Sequence, residues 1–367
     1  MRRLAISVQK ESKTVIWHLS SNRWFSAVTS YALNNAKSLN LLGYESVFSA
    51  QIGSIGHEKA ESMGLRTYPF ESFGFKGLRP FRNGLKQLKP SFIFVYGGKE
   101  CSLLWANRRK VPSARFRGED RDQEIRGRWR QLASPRISGV LTPSVMLADL
   151  WGSLVEGAHA VPYGVDGDTF QFEGFFERGP RPILLILGRL DPIKGHEKFF
   201  KLFKALLDCW PKPNPPPFLR IVGEPANLTK TELVESGQRI GLVYQEDFEI
   251  LDERLPSVSN AMKQATCGVI PSLGSEVICR VGAEFLNCGA PLMISNVGSL
   301  PELLFPKAGI DMDRSSPQEL AQFVLDSYSE TVETRAMRAE TAAQKYSLHA
   351  MGLGMEGFMK TLTASLP

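Results

Sequence analysis

The 367-residue sequence lacks any run of about 18 or more apolar residues, the length that a membrane-spanning helix requires. Its N-terminus, MRRLAISVQKESK, starts with basic residues, but its apolar part is only five residues long. That is too short for the core of a signal peptide, so we expect no export signal. The five cysteines form no C-x-x-C pair, and the five histidines form no H-E-x-x-H motif or other metal-ligand cluster. These absences favour free thiols in a reducing cytoplasm.

A dinucleotide-binding fingerprint is also missing, because no G-x-G-x-x-G follows any predicted strand. This argues against a dinucleotide-dependent dehydrogenase.

The excess of positive charge is concentrated in one segment, residues 108–136. The chain carries a net charge of +6, and this segment, with ten basic residues and four acids, accounts for all of it. Such a segment can meet anionic lipid head groups, a phosphorylated substrate or nucleic acid, and a solvated loop and helix is the alternative. Nucleic acid is the least favoured partner, because only Phe116 and Trp129 supply interleaved aromatic rings and no binding motif surrounds them.

Short apolar runs alternate with helical periodicity along the chain, which is typical of a doubly wound α/β sheet. The predicted strands are 14–19, 45–50, 91–96, 113–118, 139–144, 159–164, 183–189, 218–223, 266–272, 291–295 and 308–312. The predicted helices include 26–42, 195–210, a segment that opens at Ser316, and a second block that ends at Lys345. The last block, HAMGLGMEGFMKTL, is a weaker helix prediction because it contains three glycines.

A break in composition at FEGFFERGPRP (172–182), with two glycines and two prolines, is typical of a linker. We therefore expect an N-terminal Rossmann-like acceptor domain (1–170) and a C-terminal Rossmann-like donor domain (171–345). A helical segment (346–367) follows, and it is a candidate to pack back on the first domain.

The octapeptide GRLDPIKG (188–195) places two cations beyond the carboxyl end of a predicted strand, where open α/β sheets bind their ligands. Arg189 directly follows the strand and Lys194 lies just before a helix. Together they suit a diphosphate, because arginine grips two oxygens in a fork while lysine acts as a compact charge. Two surface cations near a helix end are the alternative.

The stretch GSEVICRVGAEFLNCGAP (274–291) places two carboxylates, Glu276 and Glu284, around a helix predicted to begin near Cys279. The free N–H groups and the positive dipole end of that helix would help to hold phosphate charge. Because carboxylates accept paired hydrogen bonds from vicinal hydroxyls, we interpret the two acids as ligands of two sugar rings. Two acids that merely stabilise a helix start are the alternative. The turn NVGSLPEL (296–303), which contains Glu302, is weak evidence by itself.

The ordered set of motifs resembles the retaining glycosyltransferases of family 4, which have the GT-B fold of two Rossmann-like domains facing a cleft. The shared features are GRLDPIKG before an amphipathic helix, PSLGSE-x7-E-FLNCGAP, SNVGSLPEL and VPYGVDGDTF (161–170). The resemblance extends from about Val15 to the end of the chain and is most specific in the second domain. A softer similarity points to members that act on lipopolysaccharide-type glycans.

The resemblance implies a role for each of the matching residues. Arg189 and Lys194 would bind the donor diphosphate and assist its departure, and Glu284 would bind the donor ribose. Glu276 would contact the transferred sugar, with Cys279 beside it in the donor pocket. We interpret Glu276 as a positioning and charge-stabilising residue rather than as a nucleophile, since the carboxylate pair of retaining glycosidases does not transfer to this family.

The sequence departs from the family pattern in the first domain. The loop after the first strand is SSNRWFSA (20–27) instead of a Gly-Gly loop, and RFRGEDRD (115–122) stands where many members carry a histidine. The candidates for acceptor or phosphate contacts in these loops are Asn22, Arg23, Arg117, Glu119 and Asp120. In the second domain, Cys279 occupies a position that is often glycine in the family.

Three pairs of aspartates with one residue between them raise the question of a metal, because a metal-dependent transferase of the other major fold uses such a pair. They are Asp120 with Asp122, Asp166 with Asp168, and Asp311 with Asp313. Three such pairs among 38 acids are unsurprising, and Arg189 with Lys194 can do the neutralising. We therefore expect no metal and no cofactor besides the nucleotide-sugar substrate.

The resemblance implies a metal-independent glycosyltransferase that moves a hexose-type sugar from a nucleotide-diphospho-sugar to a glycan or lipid-linked glycan. It points to cell-surface polysaccharide or lipopolysaccharide biosynthesis in the cytoplasm, with peripheral binding to the inner face of an anionic membrane. A non-catalytic nucleotide-sugar- or glycan-binding protein on the same scaffold and a GT-B sugar epimerase are the alternatives. We expect no nucleic-acid partner.

Overall fold

The computed structural model describes residues 13–24, 26–107, 110–118, 137–153, 157–175, 179–253, 255–274 and 276–364. These residues form two compact units. The described part of the first unit is 13–116, 137–140 and 352–364, and that of the second is 117–118 and 141–351, each with the gaps just given. Of the basic segment 108–136, only residues 110–118 lie within the described part.

The first sheet has seven strands in the order β3-β2-β1-β4-β5-β6-β7. Their bounds are Val15–Leu19 (β1), Glu45–Ser49 (β2), Arg66–Thr67 (β3), Phe92–Val95 (β4), Ser113–Phe116 (β5), Gly139–Thr142 (β6) and Ala158–Ala160 (β7). Strand β1 pairs in parallel with both β2 and β4, so that Ile16 lies opposite Ser46 on one side and Phe92 on the other. The strand order reverses between β1 and β4, and such a switch point is where open sheets bind ligands.

The first half of the chain contributes helices between these strands. Their bounds are Ala27–Leu41 (α1), Ile55–Ser62 (α2), Leu78–Gln87 (α3), Gly98–Leu103 (α4) and Val145–Gly152 (α5). Side-chain oxygens of Ser26, Ser54 and Ser144 cap the first turns of α1, α2 and α5 by accepting hydrogen bonds from backbone N–H groups. Serine at this position satisfies N–H groups that have no partner inside the helix, which explains where these helices begin.

The second sheet has six strands in the order β10-β9-β8-β11-β12-β13. Their bounds are Ile183–Leu187 (β8), Phe218–Val222 (β9), Phe248–Leu251 (β10), Cys267–Ile270 (β11), Leu292–Ile294 (β12) and Gly309–Asp311 (β13). The strands pair in parallel, and the order reverses between β8 and β11. The loops after these two strands carry GRLDPIKG and the first acid of the E-x7-E motif.

The second half of the chain contributes the remaining described helices. Their bounds are His196–Asp208 (α6), Lys230–Arg239 (α7), Val258–Gln264 (α8), Arg280–Asn287 (α9), Pro317–Ser329 (α10), Val332–Tyr346 (α11) and Leu348–Ala364 (α12). Phe199, Phe200 and Phe203 of α6 are fully buried in the core that α6 forms with one face of the second sheet. Burial of each such ring stabilises the unit by about 1.5–3 kcal/mol.

Each predicted strand corresponds to a strand of the structure, but the sequence analysis missed two others, Arg66–Thr67 and Phe248–Leu251. The predicted strand 159–164 is wrong in its bounds, since the structure ends it at Ala160. Pro162, which has no N–H group for a ladder, lies just beyond that end.

The glycine-rich C-terminal block is a continuous helix, α12, although its three glycines made it the weakest helix prediction. Packing accounts for one of these glycines, Gly352, because a Cβ atom there would lie 2.8 Å from the carbonyl oxygen of Ser38. The glycine therefore permits close packing on α1. Residues 352–364 belong to the first unit, where the Phe358 ring lies 6.4 Å from that of Phe94.

A polar network lies inside the core of the first unit. His18 Nδ1 is 3.0 Å from the Tyr96 hydroxyl, which also accepts a 2.6 Å hydrogen bond from Asn35 Nδ2. His18 and Asn35 are fully buried, and burial lowers the pKa of His18 to about 3. The imidazole is therefore neutral at physiological pH, since charging it would leave an ion in an apolar core.

We predict that this histidine makes the first sheet sensitive to acid. The unfolded chain takes up a proton at His18 near pH 6.5, whereas the folded chain does so only near its lowered pKa. Stability is thus complete above pH 6.5 and is lost as the pH falls, by about 2 kcal/mol at about pH 5. Hydrogen exchange of the β1 and β4 amides would measure this loss, and His18→Gln should remove it. The control His349→Gln, at an exposed position, should keep the wild-type pH dependence.

Candidate functional site

The turn after β8 is fixed by one aspartate and one glycine. Asp191 accepts a 3.1 Å hydrogen bond from the Ile193 N–H and a 2.8 Å one from Asn227 Nδ2, and it begins a short 3-10 turn, Pro192–Lys194. The Ile193 hydrogen bond is the main reason that the pKa of Asp191 is lowered. Gly195 ends the turn at φ 72°, and a Cβ atom there would lie only 2.0 Å from the Pro271 carbonyl oxygen. The turn therefore lies directly against the loop that follows β11.

This close approach brings two of the predicted site residues together. Lys194 Nζ is 2.5 Å from Glu276 Oε1, and the Ser272 hydroxyl donates a 2.7 Å hydrogen bond to the same oxygen. The Lys194 side chain is 28% exposed and that of Glu276 is 12% exposed. Two motifs 82 residues apart in sequence thus share one partly buried ion pair.

The third motif holds the backbone of Glu276. The Ser299 N–H donates a 2.8 Å hydrogen bond to the Glu276 carbonyl oxygen. Gly298 has φ 56°, and a Cβ atom there would lie 2.1 Å from the same oxygen. The NVGSLPEL turn, weak evidence in the sequence, therefore supports the acid that contacts Lys194.

The same turn is tied to the end of β13. The Asn296 N–H donates a 2.9 Å hydrogen bond to Asp313 Oδ2, and Asp313 forms an ion pair with Lys198 of α6. Asp311 lies 3.5 Å from the Arg314 guanidinium. This pair of aspartates is therefore occupied by cations of the chain. Among the described residues, no group of three or more histidine, cysteine, aspartate or glutamate side chains is arranged to hold a metal ion.

Helix α9 begins after Cys279, as the sequence predicts, but this cysteine has a left-handed backbone with φ 53°. Its side chain is buried, and burial, followed by the charges of Glu276 and Glu302, raises the pKa of the thiol well above its usual range. The thiol therefore stays protonated and unreactive at neutral pH. Any contribution of Cys279 to ligand binding is expected from its backbone.

Glu284 lies on α9 and is almost completely buried. Burial raises its pKa to about 7, and Arg280, whose Nε is 3.7 Å from Glu284 Oε1, opposes this increase. At neutral pH this acid is therefore close to half protonated. Within the described part of the chain, no hydrogen bond or ion pair links it to Arg189, Lys194 or Glu276.

Arg189 is the exposed cation of the site. Its side chain makes no hydrogen bond or ion pair with the described residues, and its carbonyl oxygen is 3.2 Å from His196 Nε2. His196 is buried at the start of α6, and burial lowers its pKa, so it is neutral. His196 therefore holds the backbone of Arg189 while the guanidinium stays free for a ligand.

Glu302, the acid of the third motif, connects several elements of the fold by hydrogen bonds, a role that the sequence did not reveal. Its carboxylate accepts hydrogen bonds of 3.0 and 2.8 Å from the N–H groups of Val145 and Met146, at the start of α5. Its carbonyl oxygen accepts hydrogen bonds, each 2.9 Å long, from Lys345 Nζ and from the Tyr346 hydroxyl. These contacts join α5, the 296–303 turn and α11 within the second unit.

The candidate residues from the first-domain loops do not all belong to the same unit. Asn22 and Arg23 lie after β1 in the first unit, and Arg23 Nε donates a 3.1 Å hydrogen bond to Gln51. The Arg117 guanidinium lies 4.6 Å from the centre of the Trp151 ring in the second unit. Glu119 and Asp120 lie outside the described residues.

Comparison with protein families gives one match, and it covers this site. Residues 181–330 match the family described as Glycosyl transferases group 1. Every site residue of the second sheet considered above, from Arg189 to Glu302, falls within that range. Among curated protein sequences, none matches the chain.

Solved structures resemble the whole chain at low sequence identity. A glycosyltransferase from Rickettsia africae has a TM-score of 0.76 and 13% identity, covering 96% of this chain and 100% of its own. Anabaena Alr3699/HepE, solved with UDP and glucose, has a TM-score of 0.68 and 15% identity, with 95% and 100% coverage. The lipopolysaccharide outer core galactosyltransferase WaaB has a TM-score of 0.64 and 12% identity, with 95% and 99% coverage. The chain has the GT-B fold, as predicted.

We predict that Gly298→Ala displaces Glu276. The added methyl group would meet the Glu276 carbonyl oxygen, and the left-handed backbone at φ 56° disfavours any side chain. The expected cost is about 1–3 kcal/mol, measured as a lower melting temperature of the second unit. Gly167→Ala is the matched control, because its Cβ atom would meet nothing within 4 Å. Equal melting temperatures for the two variants would contradict this assignment.

Proposed function

We propose that the protein is a retaining, metal-independent glycosyltransferase of hexosyltransferase type. It takes a sugar from a nucleotide-diphospho-sugar and transfers it to a glycan or lipid-linked glycan in cell-surface polysaccharide or lipopolysaccharide biosynthesis. The contact between Lys194 and Glu276 carries the proposal, because it unites a phosphate-binding cation with a sugar-binding acid. The family match of residues 181–330 and the UDP complexes of HepE support a nucleotide-sugar donor.

The charges of the site suit a diphosphate next to a sugar. Lysine has three N–H donors, so Lys194 can keep its contact with Glu276 and still donate to a phosphate oxygen. Arg189 supplies a second, exposed cation beyond the same strand. The N-terminus of α9 adds free N–H groups and a positive dipole end. We assign the donor diphosphate to this group, and the transferred sugar to Glu276.

Glu284 is assigned to the ribose of the donor. As a carboxylate it can accept hydrogen bonds from two vicinal hydroxyls. A ligand that supplies these donors would favour the charged form of a carboxyl group whose pKa is about 7.

The proposed reaction breaks the bond between the anomeric carbon and the β-phosphate oxygen. That electron pair leaves with the nucleoside diphosphate, whose growing charge Arg189 and Lys194 stabilise. An acceptor hydroxyl attacks the same face of the sugar, and its proton passes to the departing phosphate oxygen. Glu276 positions the sugar and stabilises the positive charge that develops on the ring.

The candidates for acceptor contacts stay Asn22, Arg23, Arg117, Glu119 and Asp120, and the cytoplasmic, peripheral-membrane location remains part of the proposal. No helix within the described ranges is both long and apolar enough to cross a bilayer.

The two alternatives predict different outcomes from glycosyl transfer. A glycan-binding protein would bind nucleotide-sugars tightly without turnover, and an epimerase would interconvert donors without an acceptor. Release of free nucleoside diphosphate together with a glycosylated acceptor, with the anomeric configuration retained, would support transfer over both. A product of inverted configuration would contradict the retaining assignment.

We predict that Arg189→Ala weakens donor binding. A screen of UDP-, GDP- and ADP-sugars by thermal shift should identify a nucleotide-sugar that stabilises the wild type. The variant should bind that ligand roughly ten- to a hundredfold more weakly, because it loses charge-assisted hydrogen bonds to phosphate. Arg239→Ala, which removes another exposed arginine at the end of α7, should leave binding unchanged. A full thermal shift in Arg189→Ala would show that the phosphates bind elsewhere.

We also predict that donor affinity depends on the protonation of Glu284. With a pKa of about 7, the acid loses its proton between pH 6 and 8, and only the carboxylate accepts from both ribose hydroxyls. The diphosphate of a nucleotide-sugar has no proton to lose in this range. Affinity measured by calorimetry should therefore rise about tenfold over these two pH units. Glu284→Gln should bind more weakly with no such dependence, and a flat wild-type profile would remove the ribose assignment.

A further inference from the structure

The outer two strands of the second sheet, β9 and β10, turn alternate residues into the core that α6 and α7 help to form. The core residues of these strands are Leu219, Ile221, Phe248 and Ile250. Because side chains alternate along a strand, the residues between them belong to the opposite face of the sheet. Arg220 and Glu249 lie on that face, and both are only partly buried. This second face of the strands therefore carries charge at positions that a solvent-reaching ligand can meet.

Arg220 and Glu249 form an ion pair across the two strands. They lie directly opposite each other in the parallel register of β9 and β10, and Arg220 Nε is 2.5 Å from Glu249 Oε1. A guanidinium group has five N–H donors, so Arg220 keeps donors for a ligand while it contacts Glu249. The pair therefore offers hydrogen-bond donors without adding a net charge to this face.

A groove of about 280 Å³ runs between this face and helix α8. Its polar lining residues are Arg220, Ser257, Asn260 and Gln264, and its lining also includes Leu251 and Leu255. Asn260 and Gln264 are four residues apart, which places both on the same face of α8. At about 30 Å³ for each water molecule, the groove holds roughly nine waters or one sugar ring with its hydroxyl groups.

The side chains of the groove can both donate and accept hydrogen bonds. The amides of Asn260 and Gln264 each have a carbonyl oxygen and an NH2 group, and neither amide makes a hydrogen bond with the described residues. A ligand that satisfies them together with the Arg220 guanidinium must itself carry several groups that donate and accept. The hydroxyl groups of a sugar have this property.

The charges beside the groove favour a neutral ligand over an ion. An anion at Arg220 would be repelled by Glu249, and a cation at Glu249 would be repelled by Arg220. Leu251 and Leu255 are both half-buried, so they offer apolar surface to the C–H groups on one face of a pyranose ring. The combination of an apolar wall with a few convergent polar groups is typical of small-molecule sites.

We propose that this groove is a carbohydrate site, separate from the proposed donor site, and that it binds the pyranose ring of a neutral sugar. Arg220 lies in the middle of β9, whereas the donor-site residues lie in loops beyond the ends of β8 and β11. The site does not depend on glycosyl transfer. Its ligand is a free monosaccharide or one unit of a glycan, because both present the same ring and hydroxyl groups.

Saturation-transfer NMR on the full-length protein tests the proposal with glucose, galactose and mannose as probes. At least one of them should bind with a millimolar dissociation constant, since a single ring makes few contacts. The uronate of the sugar that binds, which adds one carboxylate to the same ring, should bind roughly tenfold more weakly because of Glu249. A trisaccharide of the same sugar identifies the source of the ligand: binding as tight as that of the monosaccharide indicates a glycan, and weaker binding indicates the free sugar.

A matched pair of variants assigns the binding to the groove. The double variant Asn260→Ala and Gln264→Ala should bind the sugar at least tenfold more weakly, because it loses two or more hydrogen bonds. The control double variant Gln238→Ala and Gln318→Ala removes two exposed amides from α7 and α10 and should bind like the wild type. Circular dichroism should show that both variants fold, since alanine favours a helix.

Three outcomes would overturn the proposal. One is that none of the three sugars binds. Another is tighter binding of the uronate, with an affinity that falls as salt is raised, which would indicate an anion site. The third is unchanged binding in the Asn260 and Gln264 double variant with loss in Glu276→Gln, which would place the sugar at the proposed donor site. Nucleotide-sugar binding by the double variant reports on the proposed transferase separately, because the groove contributes no residue to the donor site.

Discussion

The ion pair between Lys194 and Glu276 is the contact on which the candidate site depends. It connects the loops after β8 and β11, the two strands between which the second sheet reverses its order. Partly buried pairs of this kind contribute little net stability, because desolvation offsets much of the attraction. Its geometry nevertheless requires two glycines with left-handed backbones, Gly195 and Gly298, each where a side chain would meet a carbonyl oxygen. A costly arrangement with little gain in stability is expected at a binding site rather than in a purely structural turn.

The site combines three different charge states along one edge of the second sheet. Arg189 is an exposed cation, Lys194 and Glu276 neutralise each other, and Glu284 is held near its midpoint of ionisation by burial. Without a ligand, the site therefore has a small positive charge, which would suit the proposed diphosphate without creating strong repulsion inside the fold. A bound diphosphate would draw Lys194 towards phosphate, while ribose hydroxyls would favour the charged form of Glu284. Both changes would follow binding, and both would strengthen the contacts between the site and the ligand.

Much of this architecture could be predicted from the sequence, because strand and helix periodicity and the order of the motifs are local signals. The placement of Arg189, Lys194 and Glu276 in loops after strands could be predicted in the same way. The contacts of Ser272 and Gly298 with Glu276 could not be predicted, because they depend on how the loops fold and produce no periodic pattern in the sequence. Phe248–Leu251 escaped prediction because alternating FEIL is only four residues long and lies between two polar stretches. The glycines of α12 misled the analysis, since propensity alone cannot show that close packing on α1 favours a small residue.

Cys279 shows how backbone geometry accounts for a departure from a sequence pattern. The residue has φ 53°, a conformation that costs a side-chain-bearing residue about 1–2 kcal/mol and costs glycine almost nothing. A glycine at this position, common in the family that the sequence resembles, would remove that cost. The cysteine here compensates by burying its side chain, where the thiol lies 3.9 Å from the Glu276 carbonyl oxygen. The start of α9 and the backbone of Glu276 are thereby packed together, and Ser299 holds the same carbonyl from the other loop. A side chain at position 279 thus costs conformational free energy but packs the start of α9 against the backbone of Glu276.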